Sequence, residues 1–268
     1  MEISLDKIKS LREKCGAGMV DCKKALEEAE GDSEKAVEIL RKKGIAKAAK
    51  RNERETKEGI VLVAANDAGT EGYILEINSE TDFVARNEKF KKLARAIFNL
   101  IKDKKPLGME ELLNLDLDKG TVKEDLDNLS GTIGEKLGIK RFAVITGPTV
   151  AAYSHAAGRK GVLVSLNKAG ENELAKDIAM QVAAANPRYF DCEQVPVEEI
   201  EKEKEIYRAS LAKEGKPEAI IEKIITGKLD KYFEEICLLE QEYIKDDEKK
   251  VKDILGDSKV EKFIRYSL

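Results

Sequence analysis

At 268 residues the chain is long enough for two or more compact units, each of roughly 100–150 residues or fewer. Its 48 basic and 52 acidic side chains nearly cancel to a net charge of −4, which argues against a nucleic-acid binder working by phosphate neutralisation. No apolar stretch approaches the roughly 20 residues of a membrane span and the N-terminus lacks a signal-peptide pattern, so a soluble cytoplasmic protein without direct nucleic-acid or membrane partners is expected.

Residues 4 to 43 read as three short helices within an N-terminal unit of residues 1–44. Leu5, Ile8, Leu11 and Cys15 fall on one side of the first, and Gly16-Ala17-Gly18 breaks it. Cys22, Ala25, Leu26 and Ala29 make the second stripe; Ala36, Val37 and Leu40 make the third, after Asp32 or Ser33 as cap. The layout resembles a ubiquitin-associated domain. Residues 45–57 are basic and alanine-containing, as a solvated helical linker would be.

Residues 58–147 and 148–196 form the two halves of the expected α+β core. Ile60 to Ala65 and Tyr73 to Asn78 read as a hairpin around Asn66-Asp67-Ala68-Gly69-Thr70. Phe90, Leu93, Ala94, Ile97 and Ile101 mark a helix, and a second is expected from about Val122 to Leu137. Arg141 to Thr146, Ala151 to Ala156 and Gly161 to Asn167 supply further strands, followed by a helix to Ala185 that stops before Asn186-Pro187. Strands in runs between helices fit two antiparallel α+β subdomains better than a doubly wound sheet. Residues 197–239 carry Ile200, Tyr207, Leu211, Ile221, Ile225 and Leu229 on narrow stripes, the pattern of an inserted coiled-coil hairpin. Residues 240–268 form a closing module with a helix at Val251 to Leu255 and a strand at Val260 to Tyr266.

The four cysteines (Cys15, Cys22, Cys192, Cys237) lack the close spacings of metal or redox motifs, and there is one histidine. Neither a metal site nor a cofactor is expected.

One comparison inside the chain isolates a candidate functional segment. Gly72-Tyr73-Ile74-Leu75-Glu76-Ile77-Asn78 is echoed by Gly161-Val162-Leu163-Val164-Ser165-Leu166-Asn167, and each precedes an amphipathic helix. Aligning Phe90 with Ala175 leaves the first copy about four residues longer, around Thr81 to Ala85. If both copies pack alike, the surplus is what packing does not need. It holds a carboxylate and an aromatic side by side, Asp82 and Phe83. The residues alone also allow plainer roles. Thr81 and Asp82 suit a helix cap and first-turn acid, Phe83 and Met19-Val20 suit core positions, and His155 suits an ordinary strand. An enzyme pairing Asp82 with His155 has no supporting motif. An adaptor using the three-helix unit and the hairpin for protein contacts is the alternative, though it has no need of the surplus segment.

Three segments carry a family resemblance: Leu11-Arg12-Glu13-Lys14-Cys15-Gly16-Ala17-Gly18-Met19-Val20-Asp21-Cys22-Lys23-Lys24-Ala25-Leu26, Glu76 through Asn87, and Ile133-Gly134-Glu135 followed by Arg141, then Tyr153-Ser154-His155 and the helical hairpin. With these motifs in this order the chain resembles the elongation factor Ts family, the guanine-nucleotide exchange factors of elongation factor Tu. The resemblance implies an exchange factor without covalent chemistry, acting on the GDP-bound and nucleotide-free partner, and is compatible with a homodimer or a two-plus-two assembly. It implies that Phe83 wedges beside the partner's magnesium-holding region. Asp82 would disfavour the ion's position, with Thr81 and Val84 bracing the turn. It further assigns partner contacts to Ile133 and Gly134, to His155, to Arg12, Met19 and Val20, and to Tyr243 and Ile244 of the C-terminal module. Val20 is shorter than the methionine many relatives carry, and Lys245 stands where some have an apolar group.

Overall fold

A computed structural model describes residues 3–15, 17–49, 53–118, 120–213 and 217–268. Helices α1 (Leu5–Cys15), α2 (Met19–Glu28) and α3 (Ser33–Ala49) enclose a small core of Ile8, Leu11, Cys22, Ala25, Leu26 and Ala36. The expected linker therefore begins as helix. Its alanines and lysines favour the helical state, and α3 continues through them to Ala49. Residues 50–52 lie outside the described ones, and 53–57 are not helical.

Strands β1 (Glu58–Ala65) and β2 (Glu71–Ser79) form the expected hairpin. Four helices follow: α4 (Asp82–Ala85), α5 (Glu88–Lys104), α6 (Met109–Asn114) and α7 (Val122–Ile133). Strand β3 (Gly138–Thr146) then pairs with β2, giving an antiparallel sheet in the order β1-β2-β3. A second sheet joins β4 (Thr149–His155) and β5 (Lys160–Leu166), which leads into α8 (Asn172–Ala185). Helices α9 (Val197–Lys213) and α10 (Glu218–Ile236) pack Leu211, Ile221, Ile225 and Leu229 against each other. The expected turn at 214–216 lies outside the described residues. A short ladder of β6 (Glu242–Tyr243) with β7 (Asp246–Lys250), then α11 (Val251–Leu255), leads to β8 (Val260–Ser267). Strand β8 returns to pair with β5, so the second sheet runs β4-β5-β8.

The mixed helix and antiparallel-sheet architecture is α+β, as the strand runs indicated. Its layers explain the near-continuous apolar strands. Tyr73, Leu75 and Ile77 of β2 pack on Phe90, Ala94, Ile97 and Ile101 of α5. Ile74, pointing the other way, meets Val150, Leu163 and Tyr266 of the second sheet. Val162, Val164 and Leu166 of β5 face α8 through Ala175, Ile178, Ala179 and Val182. A strand buried on both faces has no polar side to alternate.

The echoed glycines mark where the sheets press together. A Cβ on Gly72 would stand 2.7 Å from Val150 Cγ1 and 2.8 Å from Leu163 Cδ2, and one on Gly161 would stand 2.6 Å from Val61 Cγ1. Each copy's glycine thus admits the other sheet's side chains. Three local departures have simple causes. Helix α7 ends at Ile133 rather than Leu137 because Gly134 takes the left-handed conformation (φ 91°), a common helix stop. Helix α6, at six residues, is too short to show a period, and β6 is only two residues long.

Candidate functional site

The site is built at one end of the two-sheet sandwich. Ser79 at the end of β2 pairs with Glu58 at the start of β1, and Asn78 pairs with Gly138 at the start of β3. In the second sheet His155 pairs with Lys160, and Lys160 with Ser267. Arg159 donates to the Glu58 carboxylate at 2.9 Å, tying the two sheets' ends together. The turn after β2, the end of α7 and the turn after β4 therefore share one end.

The surplus segment is a helical turn of its own. Thr81 caps α4, its hydroxyl accepting from the Val84 amide at 3.4 Å, and Val84 is buried in the core beneath. Asn87 then caps α5 by accepting from the Lys89 amide at 2.9 Å. Between the caps Phe83 points outward, 83% exposed, the one aromatic in that state among the described residues. Asp82 accompanies it and pairs with Arg86 at 3.0 Å, both ends of that pair lying open to solvent.

This turn is held from outside by Glu135. One of its carboxylate oxygens accepts from the Thr81 amide at 3.0 Å, and the other from the Thr81 hydroxyl at 2.7 Å. Ser79 Oγ donates to the Thr81 carbonyl at 2.9 Å, and Ser130 Oγ donates to the Glu135 carbonyl at 2.6 Å. Next to it, Glu80 accepts from the Lys136 amide at 2.6 Å and from Arg54 at 3.2 Å. Two charge-assisted clamps thus fix both the turn and the α7–β3 connection. A bulky apolar ring held outward on so constrained a turn is poised to enter a complementary pocket.

Ile133 is partly buried on the core and Gly134 is exposed beside Glu135. His155 is exposed, its Nδ1 lying 3.2 Å from the Tyr153 hydroxyl. Behind it Ala156 (φ 52°) and Ala157 (φ 54°) both adopt the left-handed region, which costs a non-glycine residue about 1–2 kcal/mol each. Gly158 packs against Ile60 and Val61, and Arg159 grips Glu58, so the strained turn is set against the first sheet.

Arg12 is exposed, Met19 is partly buried on the three-helix core, and Val20 is 67% exposed. Their unit docks on α7 through α3. A Cβ on Gly131 would lie 2.5 Å from the Gly44 Cα, and Arg41 meets Glu124 at 3.1 Å. This seam ends next to Ile133.

Tyr243 and Ile244 lie apart, over α8 on the face of the second sheet remote from the first. Tyr243 is 8% exposed and donates to Asp177 at 2.7 Å, so its side chain is engaged within the chain; the Ile244 side chain is exposed. Burial and this bond push the Tyr243 hydroxyl up to about 12. Burial raises Asp177, but bonds from Lys245 and Tyr243 outweigh it and hold the carboxyl below its usual range. Lys245 pairs with Asp177 at 2.6 Å, which anchors the module to α8.

Among the described residues no group of three or more metal-ligating side chains occurs, and no helix is long and apolar enough to cross a membrane. The braces Glu135, Glu80 and Arg54 were not assigned roles from sequence, although Glu135 falls within the Ile133-Gly134-Glu135 motif.

Comparison with known proteins places these features in context. A family model described as Elongation factor TS matches residues 80–268. The protein named Elongation factor Ts from Chlorobium phaeobacteroides (strain BS1) is 48% identical over 284 aligned residues, covering 100% of this chain and 99% of the relative. The protein of the same name from Prosthecochloris aestuarii (strain DSM 271 / SK 413) is 44% identical over 284 residues, with the same coverage.

Proposed function

The chain belongs to the elongation factor Ts family, and from that premise we propose that it is a guanine-nucleotide exchange factor for elongation factor Tu in translation elongation. It accelerates GDP release so that GTP can bind, and performs no covalent chemistry of its own. The observation that carries the reading is the Asp82–Phe83 turn, exposed at its tip and clamped at its base.

A GTPase holds its nucleotide through phosphate contacts and a bridging magnesium ion. Nanomolar binding corresponds to about 12 kcal/mol, and weakening it a thousandfold takes roughly 4 kcal/mol of preference for the nucleotide-free partner. Burying one phenylalanine supplies about 1.5–3 kcal/mol of that. Phe83 enters a pocket near the partner's magnesium-holding region, Asp82 disfavours the ion's position by its charge, and Thr81 and Val84 hold the turn. Ile133, Gly134 and His155 extend the contact along the same end of the sandwich. Arg12, Met19 and Val20 grip the nucleotide-binding domain from a second side. The docked α3–α7 seam lets both surfaces act as one body. Ile244 supplies the outlying contact. Tyr243 acts indirectly there, by fixing the module that carries it.

The finer architecture belongs to the same reading: a ubiquitin-associated-like unit, two related core halves interrupted by a helical hairpin, and a returning C-terminal module.

The test is release of a fluorescent GDP analogue from elongation factor Tu with and without this protein. Release should accelerate by orders of magnitude, and millimolar magnesium should oppose it. Unchanged release at saturating protein would overturn the reading, and indifference to magnesium would remove the ion from it.

A further inference from the structure

The four cysteines, dispersed in the sequence, come together in two pairs. Cys15 Sγ lies 3.8 Å from Cys22 Sγ, and Cys192 packs on the buried cluster that holds Cys237. The pairs share an asymmetry. Cys15 and Cys192 are partly exposed, whereas Cys22 and Cys237 are completely buried. All four are free thiols.

The first pair has the more suggestive setting. Cys15 ends α1 and lines a cleft of about 190 Å³ with Lys14, Ala17, Asp21, Arg41 and Gly131, so a small solute can reach it. Cys22 sits one turn into α2, its thiol also directed at the Ala17 carbonyl at 3.7 Å. Gly16-Ala17-Gly18 joins the two helices and carries no side chain larger than a methyl. The two sulfurs need approach by only about 1.8 Å to reach the bonded length of about 2.05 Å.

We propose that Cys15 and Cys22 are a modification site: a reversible intramolecular disulfide formed by exchange with a small-molecule disulfide. The Cys15 thiolate attacks one sulfur of the oxidant, displacing its first thiolate and leaving a mixed disulfide on Cys15. The Cys22 sulfur, giving its proton to the displaced thiolate, attacks Cys15 Sγ and expels the second. Two protein thiols lose two electrons and two protons, and the small disulfide becomes two thiols. The order follows from access, since only Cys15 is reachable. Burial, then Cys15 itself, pushes the Cys22 thiol up to about 12, making it a poor first attacker and leaving ring closure the slower step.

The ring would enclose Met19 and Val20. Its effect on the partner rests on the exchange-factor reading; its formation does not.

The experiment treats the full chain carrying Cys192→Ser, without denaturant, with oxidised glutathione, followed by tryptic mapping. The peptide containing both Cys15 and Cys22 should appear short of two hydrogens and revert with dithiothreitol. The further variant Cys22→Ala should stop at a glutathione adduct on Cys15. A persistent adduct on Cys15 with Cys22 intact, or no modification of either, would overturn the proposal. In a separate arm the oxidised protein should need severalfold more factor for half-maximal GDP release. A closed ring that leaves this requirement unchanged removes only the functional consequence.

Discussion

Phe83→Ala separates the tip's role in binding from any role in folding. The ring is 83% exposed, so its removal takes almost nothing from the chain's own core, and stability should change by no more than about 0.5 kcal/mol. On the partner the same ring is worth about 1.5–3 kcal/mol if it enters a pocket. At about 1.4 kcal/mol per tenfold, stimulated GDP release at limiting factor should fall roughly ten- to a hundredfold. The assay is stopped-flow release of a fluorescent GDP analogue over a factor titration, paired with thermal melts of the variant. Release within twofold of the parent, with an unchanged melt, would refute the wedge. A large loss of stability would instead show that the ring is structural.

Three further outcomes follow from a brace, the helix seam and the hairpin base. Glu135→Ala removes both acceptors for Thr81, so amide exchange at Thr81 to Val84 should quicken and GDP release slow by about tenfold or less, while Glu135→Gln retains part of both. Equal amide protection in parent and Ala variant would remove Glu135 from the clamp. Gly131→Ala sets a methyl 2.5 Å from the Gly44 Cα while favouring the helix itself by about 1 kcal/mol. Small-angle scattering should therefore show an expanded molecule with α7 intact; an unchanged radius would dismiss the seam. At the base of the hairpin, Glu199 accepts from Tyr232, Tyr189 and Arg188, which together hold its carboxyl below the usual range. The stabilisation it gives is present above the ordinary glutamate value and lost as pH falls through the depressed one. Amide exchange in α9 should rise in that acidic window in the parent and lose that dependence in Glu199→Gln.

Much of the architecture was legible because burial writes itself as period. The strands around Ile74 and Leu163, the α5 stripe and the helical hairpin were all visible as apolar spacing. The repeat was more informative still, since it showed Thr81 to Ala85 as surplus, and α4 occupies that stretch. Less legible were features made by tertiary proximity. Nothing near Glu135 in sequence shows that it reaches Thr81, and Gly131 reveals its use only against Gly44. The start of the linker, expected to be helical, is helix and continues α3 to Ala49, since alanine and lysine favour that state. The bond from Tyr243 to Asp177 likewise depends on an ordering of β6 against α8 that no local period shows.

The central claim is a matter of location, and a photo-crosslinking residue placed at position 83 measures it. In complex with nucleotide-free elongation factor Tu, illumination should join that position to partner segments lining the magnesium and diphosphate pocket. Crosslinks confined to a region far from the nucleotide, or formed only within this chain, would contradict the account.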